Sequence, residues 1–162
     1  MRSQKRRRKE NKTDYLKRLK LLKSGKPRVV FRKTNKFITS EYIESEEAQD
    51  KVVFGFDSRK LKEYGWPKEA QGSLKSTTAS YLMGYLTGKT VVKKKLKNPI
   101  VDSGMNRTIH KNKIYAFIKG LIDSGIKMEC KKEFFPEDSR INGEHLKNKV
   151  PFNEIKLKID KL

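Results

Sequence analysis

Apolar positions change their period several times along the chain, and each change marks an element. Leu16, Leu19 and Leu22 recur at helical spacing behind Thr13, a good N-cap, and Asp14, which suits the positive end of a helix dipole; Gly25 and Pro27 end the run. The period then drops to two. Arg28-Val29-Val30-Phe31-Arg32 reads as a strand closed by a Lys33-Thr34-Asn35-Lys36 turn, residues 37–43 as a second strand and 51–56 as a third, with links short enough for an antiparallel meander. The acidic link 44–50 reads as a loop facing away from any polyanion. A short helix is predicted over 59–64, stopped by Gly65 and Pro67, with Trp66 closing the core edge and a loop over 72–76. A long helix follows, capped by Thr77 or Thr78, burying Ala79, Leu82, Met83, Leu86 and Val91 and ending in Lys93-Lys94-Lys95. Residues 99–104 read as a brief strand. Ile114, Phe117, Ile118, Leu121 and Ile122 share one face of a further helix ended by Gly125, and residues 126–130 read as a last strand. The order β-β-β-α-β-α-β predicts an α/β sandwich with a mixed sheet, because strands joined through helices become parallel while the meander stays antiparallel.

Charge adds a partner to this outline. The chain has 162 residues, 35% of them apolar, enough for one domain with one modest core, and it carries a net charge of +21. Sixteen of the first 36 residues are Lys or Arg, against only Glu10 and Asp14. Helix, strand and turn could therefore present one basic surface to RNA phosphate. Six to ten phosphate contacts would weaken binding by about three to five decades between roughly 50 and 200 mM salt. An anionic membrane is a poor alternative, because the basic run lacks the Trp, Phe and Leu face of an interfacial helix and no stretch approaches ~18 apolar residues. Residues 1–12 contain no apolar core for a signal peptide, so a soluble, intracellular chain is expected. A lone Cys130 excludes an internal disulfide. With only His110 and His145 besides, there is no ligand set at zinc-site spacing, and no cofactor is expected.

Several strings resemble the archaeal large-subunit ribosomal protein of universal family eighteen (uL18). They include Arg6-Arg7-Arg8-Lys9, Lys12-Thr13-Asp14-Tyr15, the run from Arg18 to Arg28, Arg32-Lys33-Thr34-Asn35-Lys36, Glu63-Tyr64-Gly65-Trp66, Ala79 to Gly88, Val101-Asp102-Ser103-Gly104-Met105, Phe135-Pro136 and Ile141-Asn142-Gly143-Glu144-His145. Their order and spacing extend from residue 2 to about 146. The resemblance implies a three-layer α/β sandwich of ribonuclease-H-like topology with a five-stranded mixed sheet, preceded by a basic arm and helix. It implies no nuclease activity. The implied organisation is an RNA-binding arm over 1–12, one α/β domain over 13–146 and a basic tail over 147–162. The implied role is that of a structural constituent of the large ribosomal subunit in the cytoplasm, binding 5S rRNA and adjacent large-subunit rRNA in the central protuberance beside neighbouring ribosomal proteins. Mg²⁺ would belong to the RNA rather than to a protein site.

Carried over by position, Arg6, Arg7, Arg8, Lys9 and Lys12 thread between phosphates, and Thr13 and Tyr15 fix the start of the helix against RNA. Arg18, Lys20, Lys23 and Lys26 extend the phosphate track. Arg28, Arg32, Lys33, Thr34, Asn35 and Lys36 form the strand-and-turn motif, where Arg forks and Asn amides reach sugar, phosphate and exposed base edges. The turn is the expected source of selectivity. The sequence also departs from the family: Phe37 stands where histidine is usual, and Thr108 follows Arg107 where proline is expected. The resemblance therefore does not carry RNA contacts over to Arg107, His110 or Lys111.

The rival reading is a nucleic-acid-processing enzyme of ribonuclease-H-like fold. Gly84-Tyr85-Leu86-Thr87-Gly88-Lys89-Thr90 looks like a phosphate loop but has three residues between its glycines instead of four and lies inside a helix; the glycines are expected to pack on the sheet. Asp57 and Asp102 stand at strand ends where catalytic metals could bind, yet two acids separated by a helix read better as caps. Glu144-His145 has no nucleophile tied to it. A helix-turn-helix regulator would need elements that are not evident.

Overall fold

The meander forms as its alternation requires. In the computed structural model, which describes residues 3–47 and 49–162, β1 (Arg28–Lys33), β2 (Ile38–Glu46) and β3 (Gln49–Asp57) pair antiparallel, and β4 (Ile100–Asp102) joins β1 in parallel, giving the order β3-β2-β1-β4. Met1 and Arg2 of the arm, and Ala48 of the acidic link, lie outside the described residues. Helices α1 (Arg6–Lys9) and α2 (Tyr15–Lys23) precede the sheet; α3 (Thr77–Lys93), α4 (Lys113–Asp123), α5 (Asp138–Asn142) and α6 (Phe152–Asp160) follow its hairpins. With α2 on one face and α3, α4 and α6 on the other, the architecture is a three-layer α/β sandwich.

The sheet has four strands, not the five expected. Residues 126–130 keep the anticipated alternation, with Ile126 buried, Met128 and Cys130 half-buried and Lys127 and Glu129 exposed, but they form no ladder. The Ile126 N–H is taken by the Leu121 carbonyl at the end of α4. Alternation reports one-sided burial; pairing needs a partner edge as well. The acidic link is not a loop either. β2 and β3 run through it in register, Ser45 opposite Asp50 and Glu46 opposite Gln49, and Asp50 points at arginines instead of away from the basic surface. Residues 58–62 form a 3-10 turn capped by Asp57, and Trp66 is buried with its indole N–H donated to the Ala70 carbonyl at 3.0 Å.

Helix α3 is the axis of the core. Its cap is Ser76, whose hydroxyl accepts the Ala79 N–H at 3.2 Å, rather than Thr77 or Thr78. Burial runs all round it. The Thr87 hydroxyl meets Ser40 of β2 at 2.9 Å on the sheet side, and the Tyr85 hydroxyl donates to Asp160 of α6 at 2.6 Å. The third side receives α4. A Cβ at Gly84 would lie 2.1 Å from the Phe117 carbonyl oxygen, and one at Gly120 would lie 2.2 Å from that of Tyr81. Gly84 and Gly120 thus bring two helix backbones together, and Gly84 and Gly88, expected to pack on the sheet, face α4 and the Ser124 that follows it instead, because Thr87 occupies the sheet side. Residues 147–162, expected as a basic tail, fold largely into α6, whose Ile155 and Ile159 are fully buried in the common core.

Replacing Gly84 or Gly120 with alanine should lower stability by about 3 kcal/mol or more, since backbone cannot yield as a side chain can. Alanine at Gly25, a left-handed position with open space around it, should cost only about 1 kcal/mol. Urea midpoints of the three variants check the contrast.

Candidate nucleic-acid interface

Helix α2 docks by its polar side. The leucine spacing predicts a buried Leu16, Leu19, Leu22 stripe, whereas Leu16 is 64% and Leu19 50% exposed. Of the predicted stripe only Leu22 is half-buried; the inward face consists of Lys17, Arg18, Leu21 and Leu22, which share the i, i+3, i+4 side of the helix. Lys17 Nζ donates to Ser103 Oγ at 2.8 Å and to the Gly104 carbonyl at 3.2 Å, and Arg18 pairs with Asp50 at 2.8 Å. Asp14, not Thr13, caps the helix, accepting the N–H groups of Leu16 and Lys17; the Thr13 hydroxyl instead accepts from Arg7 Nε at 2.9 Å.

Beneath α2 lies an ion network on the outer face of the sheet. Arg28, 2% exposed, donates to Asp50 at 2.6 Å, to Asp102 at 3.2 Å and to Ser45 at 3.1 Å. Four residues along β1, on the same face, Arg32 donates to the Asp102 carboxylate at 3.3 Å and to the Asp102 carbonyl at 2.8 Å. Asp102 also accepts the Gly104 N–H at 2.8 Å. Gly104 sits at φ +56, a left-handed conformation that favours glycine, and a Cβ there would meet the Arg32 guanidinium carbon at 2.8 Å and push that side chain aside. Burial alone would raise the pKa of Asp50, but hydrogen bonds from Ser45, Arg18 and Arg28 outweigh it and hold the carboxyl below the ordinary aspartate range.

Other expected contact residues remain outward. On the arm, Arg6 and Lys12 pair with Glu10 at 2.9 and 2.8 Å, and Arg8 with Asp14 at 3.7 Å. These exposed pairs contribute about 0–1 kcal/mol each and can yield to phosphate. Lys12 and then Arg6 hold the Glu10 carboxyl below its usual range. Tyr15 is 36% exposed, with Lys5 Nζ 4.7 Å above its ring. In the turn, Thr34 serves as a brace: its hydroxyl donates to the Phe37 carbonyl at 3.0 Å and accepts the N–H groups of Lys36 and Phe37. Lys33, Asn35 and Lys36 project from that braced turn into solvent. Among the described residues, Lys9, Lys20, Lys23, Lys26, Lys33 and Lys36 make no salt bridge. Arg7, Lys12, Thr13, Arg18 and Arg32 line one recess of about 120 Å³. The structure therefore joins the arm to the distal end of β1. Arg28 lies under the surface and is not among the outward groups.

Candidate enzyme groups are engaged elsewhere. Asp57 accepts the Arg59 N–H at 2.7 Å and Asp102 belongs to the network, and the two stand on opposite edge strands of the sheet. The Gly84 to Thr90 string lies within α3.

A family profile described as ribosomal large subunit proteins 60S L5 and 50S L18 matches residues 1–100. The large ribosomal subunit protein uL18 of Korarchaeum cryptofilum is 41% identical over 141 residues, 87% of this chain and 70% of that one. The chain belongs to the uL18 family. That of Thermofilum pendens is 37% identical over 142 residues, 88% of this chain and 70% of its own, and that of Methanosphaera stadtmanae 39% over 140, 86% and 70%. The uL18 family is one of ribosomal proteins and not of enzymes.

Within this uL18 framework, the residues that reading by spacing misses are Lys17, Asp50 and the structural role of Asp102 and Gly104. Lys17 looks like one more outward cation, and only the fold carries Asp50 from the far hairpin to Arg28. Arg28→Met should destabilise the protein by about 3 kcal/mol, because two aspartates lose a shared partner; urea unfolding at neutral pH measures it. The Asp50 contribution should be fully present above the ordinary aspartate value of about 3.9 and be lost as pH falls through the lower folded value. Urea midpoints from about pH 5 downward should decline less steeply in Asp50→Asn than in the parent chain.

Proposed function

We propose that this chain, a structural constituent of the large ribosomal subunit working in the cytoplasm as part of the ribosome, holds 5S rRNA and the adjoining large-subunit rRNA. The observation that carries this reading is a rigid, unpaired set of cations beside a yielding one. Lys33 and Lys36, with the neutral amide of Asn35 between them, stand on a turn braced by Thr34, while Lys20 and Lys23 of α2 and Lys26 just after it make no salt bridge among the described residues. A preorganised turn can distinguish one folded RNA from another, whereas bulk cations attract any phosphate.

The arm over 1–12 supplies the non-selective part. Its exposed ion pairs exchange for phosphates, and its order is completed on RNA because its charge density opposes collapse alone. Arg32 contributes less freely than the turn, being held by Asp102, and acts by fixing where the turn begins. Exposed Tyr15, Leu16 and Leu19 leave α2 able to meet RNA or a neighbouring ribosomal protein along its outer side. Mg²⁺ in the complex belongs to the RNA.

The test is binding of the purified protein to 5S rRNA with excess transfer RNA at roughly 200 mM salt, where non-specific phosphate binding fades. Selective 5S binding is expected, and Asn35→Ala with Lys36→Ala should reduce selectivity by about tenfold or more. Removing arm cations should instead weaken both RNAs alike and flatten the salt dependence. Complete displacement by transfer RNA from the parent chain would overturn the reading.

A further inference from the structure

Five side chains beneath α2 alternate in charge. Asp50 gives one carboxylate oxygen to Arg18 at 2.8 Å and the other to Arg28 at 2.6 Å; Arg28 reaches on to Asp102 at 3.2 Å, and the same Asp102 oxygen takes Arg32 at 3.3 Å. The order is therefore Arg18, Asp50, Arg28, Asp102, Arg32, with each acid between two cations. Its first member belongs to the helix that carries Lys20 and Lys23, and its last adjoins Lys33 and the braced turn. Arg28 and Arg32 stand four residues apart on β1, so the row extends about 13 Å along the strand.

Net stability does not account for such a row. Arg28 Nε is buried without a partner among the described residues, and apolar side chains filling the same space would avoid the desolvation that a guanidinium and two carboxylates undergo. What the alternation supplies is one position for α2. The helix has no buried residue, so no apolar stripe locks it to the sheet; Lys17 on Ser103 and Gly104, and Arg18 on Asp50, hold it there. A rotation by one residue, about 100°, would carry Arg18 off Asp50 and turn Lys20 and Lys23 to another side.

We propose that Asp50 is a positioning residue for RNA: an acid that touches no phosphate but fixes the spacing between the lysines of α2 and those of the turn, and so sets which folded RNA can meet both at once. It rests on the reading of the chain as a 5S rRNA-binding protein, and adds to it the residue through which the two halves of the basic surface keep register. Bulk charge would give the opposite result. Asp50→Asn removes one negative charge and takes the net charge from +21 to +22, so attraction to any polyanion grows. Recognition of one RNA shape should nonetheless fall, because the guanidinium groups of Arg18 and Arg28 then face each other with no carboxylate between them and repel.

The experiment compares Asp50→Asn with the parent chain in direct binding to 5S rRNA and to transfer RNA at roughly 200 mM salt, with residual dipolar couplings of the backbone amides recorded on both free proteins. Affinity for 5S rRNA should fall about tenfold, and its salt slope should fall by about 2, three phosphate contacts at about 0.7 to 0.9 each. Transfer RNA should bind as tightly as before or up to about twofold more tightly. The couplings should show α2 reoriented and β1 and α3 unmoved. A general loss of stability would instead weaken both RNAs together and single out no helix. In an Arg18→Gln background the same Asp50→Asn change should cost 5S binding less than about twofold, because the acid acts through that arginine. If Asp50→Asn fails to fold, Asp50→Glu, which keeps the charge and displaces it by one methylene, is held to the same contrast between the two RNAs. Unchanged α2 couplings would overturn the proposal whether or not the parent chain selects 5S rRNA. So would 5S binding by the variant as tight as the parent's. Failure of the parent to select 5S rRNA, with α2 reoriented in the variant, would sink only the 5S reading and leave Asp50 as the residue that places α2.

Discussion

A guanidinium almost wholly removed from water, that of Arg28, organises the outer half of this protein. Its charge is compensated by Asp50 from the β2–β3 hairpin and Asp102 from the edge strand, so the two ends of the sheet are tied through one side chain. The same aspartates hold Arg18 and Arg32, and the loop after Asp102 receives Lys17. Helix α2 consequently lies where these bonds put it. Such a network contributes modest net stability, because desolvation offsets much of the Coulomb attraction. Its effect is positional: mispairing would leave a charge buried alone, which penalises every other register of α2 on the sheet.

That positioning reconciles two demands on a chain with a net charge of +21. Cations packed together repel, and a surface meant for a polyanion cannot neutralise them itself. Two of its 19 acids, Asp50 and Asp102, lie beneath the outer face and anchor the helix, while among the described residues Lys20, Lys23, Lys33 and Lys36 make no salt bridge. Arginine, with its fork of donors, is used for the internal bridges at 18, 28 and 32, and lysine for the outer positions at 20, 23, 26, 33 and 36. On the inner face Gly84 and Gly120 let the backbones of α3 and α4 meet directly.

Most elements are legible in the chain because local alternation and capping determine them. β1, β4, α3 and α4 arise where their periods fall, and the braced turn follows from Thr34 beside a strand end. The fifth strand is not legible in the same way. Residues 126–130 have the alternation of a strand but not the neighbour, and alternation is a property of burial alone. The leucines of α2 mislead for a related reason: spacing identifies a face, not whether the rest of the fold covers it, and here cations win the inner side because aspartates await them.

The sequence by itself determined the α/β class, the meander, the basic arm and turn and, through its family strings, membership of a ribosomal protein family. These rest on composition and on patterns within a few residues. Only the tertiary structure decided which cations are outward: Arg28 and Lys17 look no different from Lys20 or Lys23 until β2–β3 and β4 bring carboxylates and carbonyls to them. It alone assembled the ion network, whose members come from residues as far apart as Arg18 and Asp102. Charge is written along the chain, but whether a charge is spent on the protein or left for a partner depends on what the fold places within a few ångströms of it.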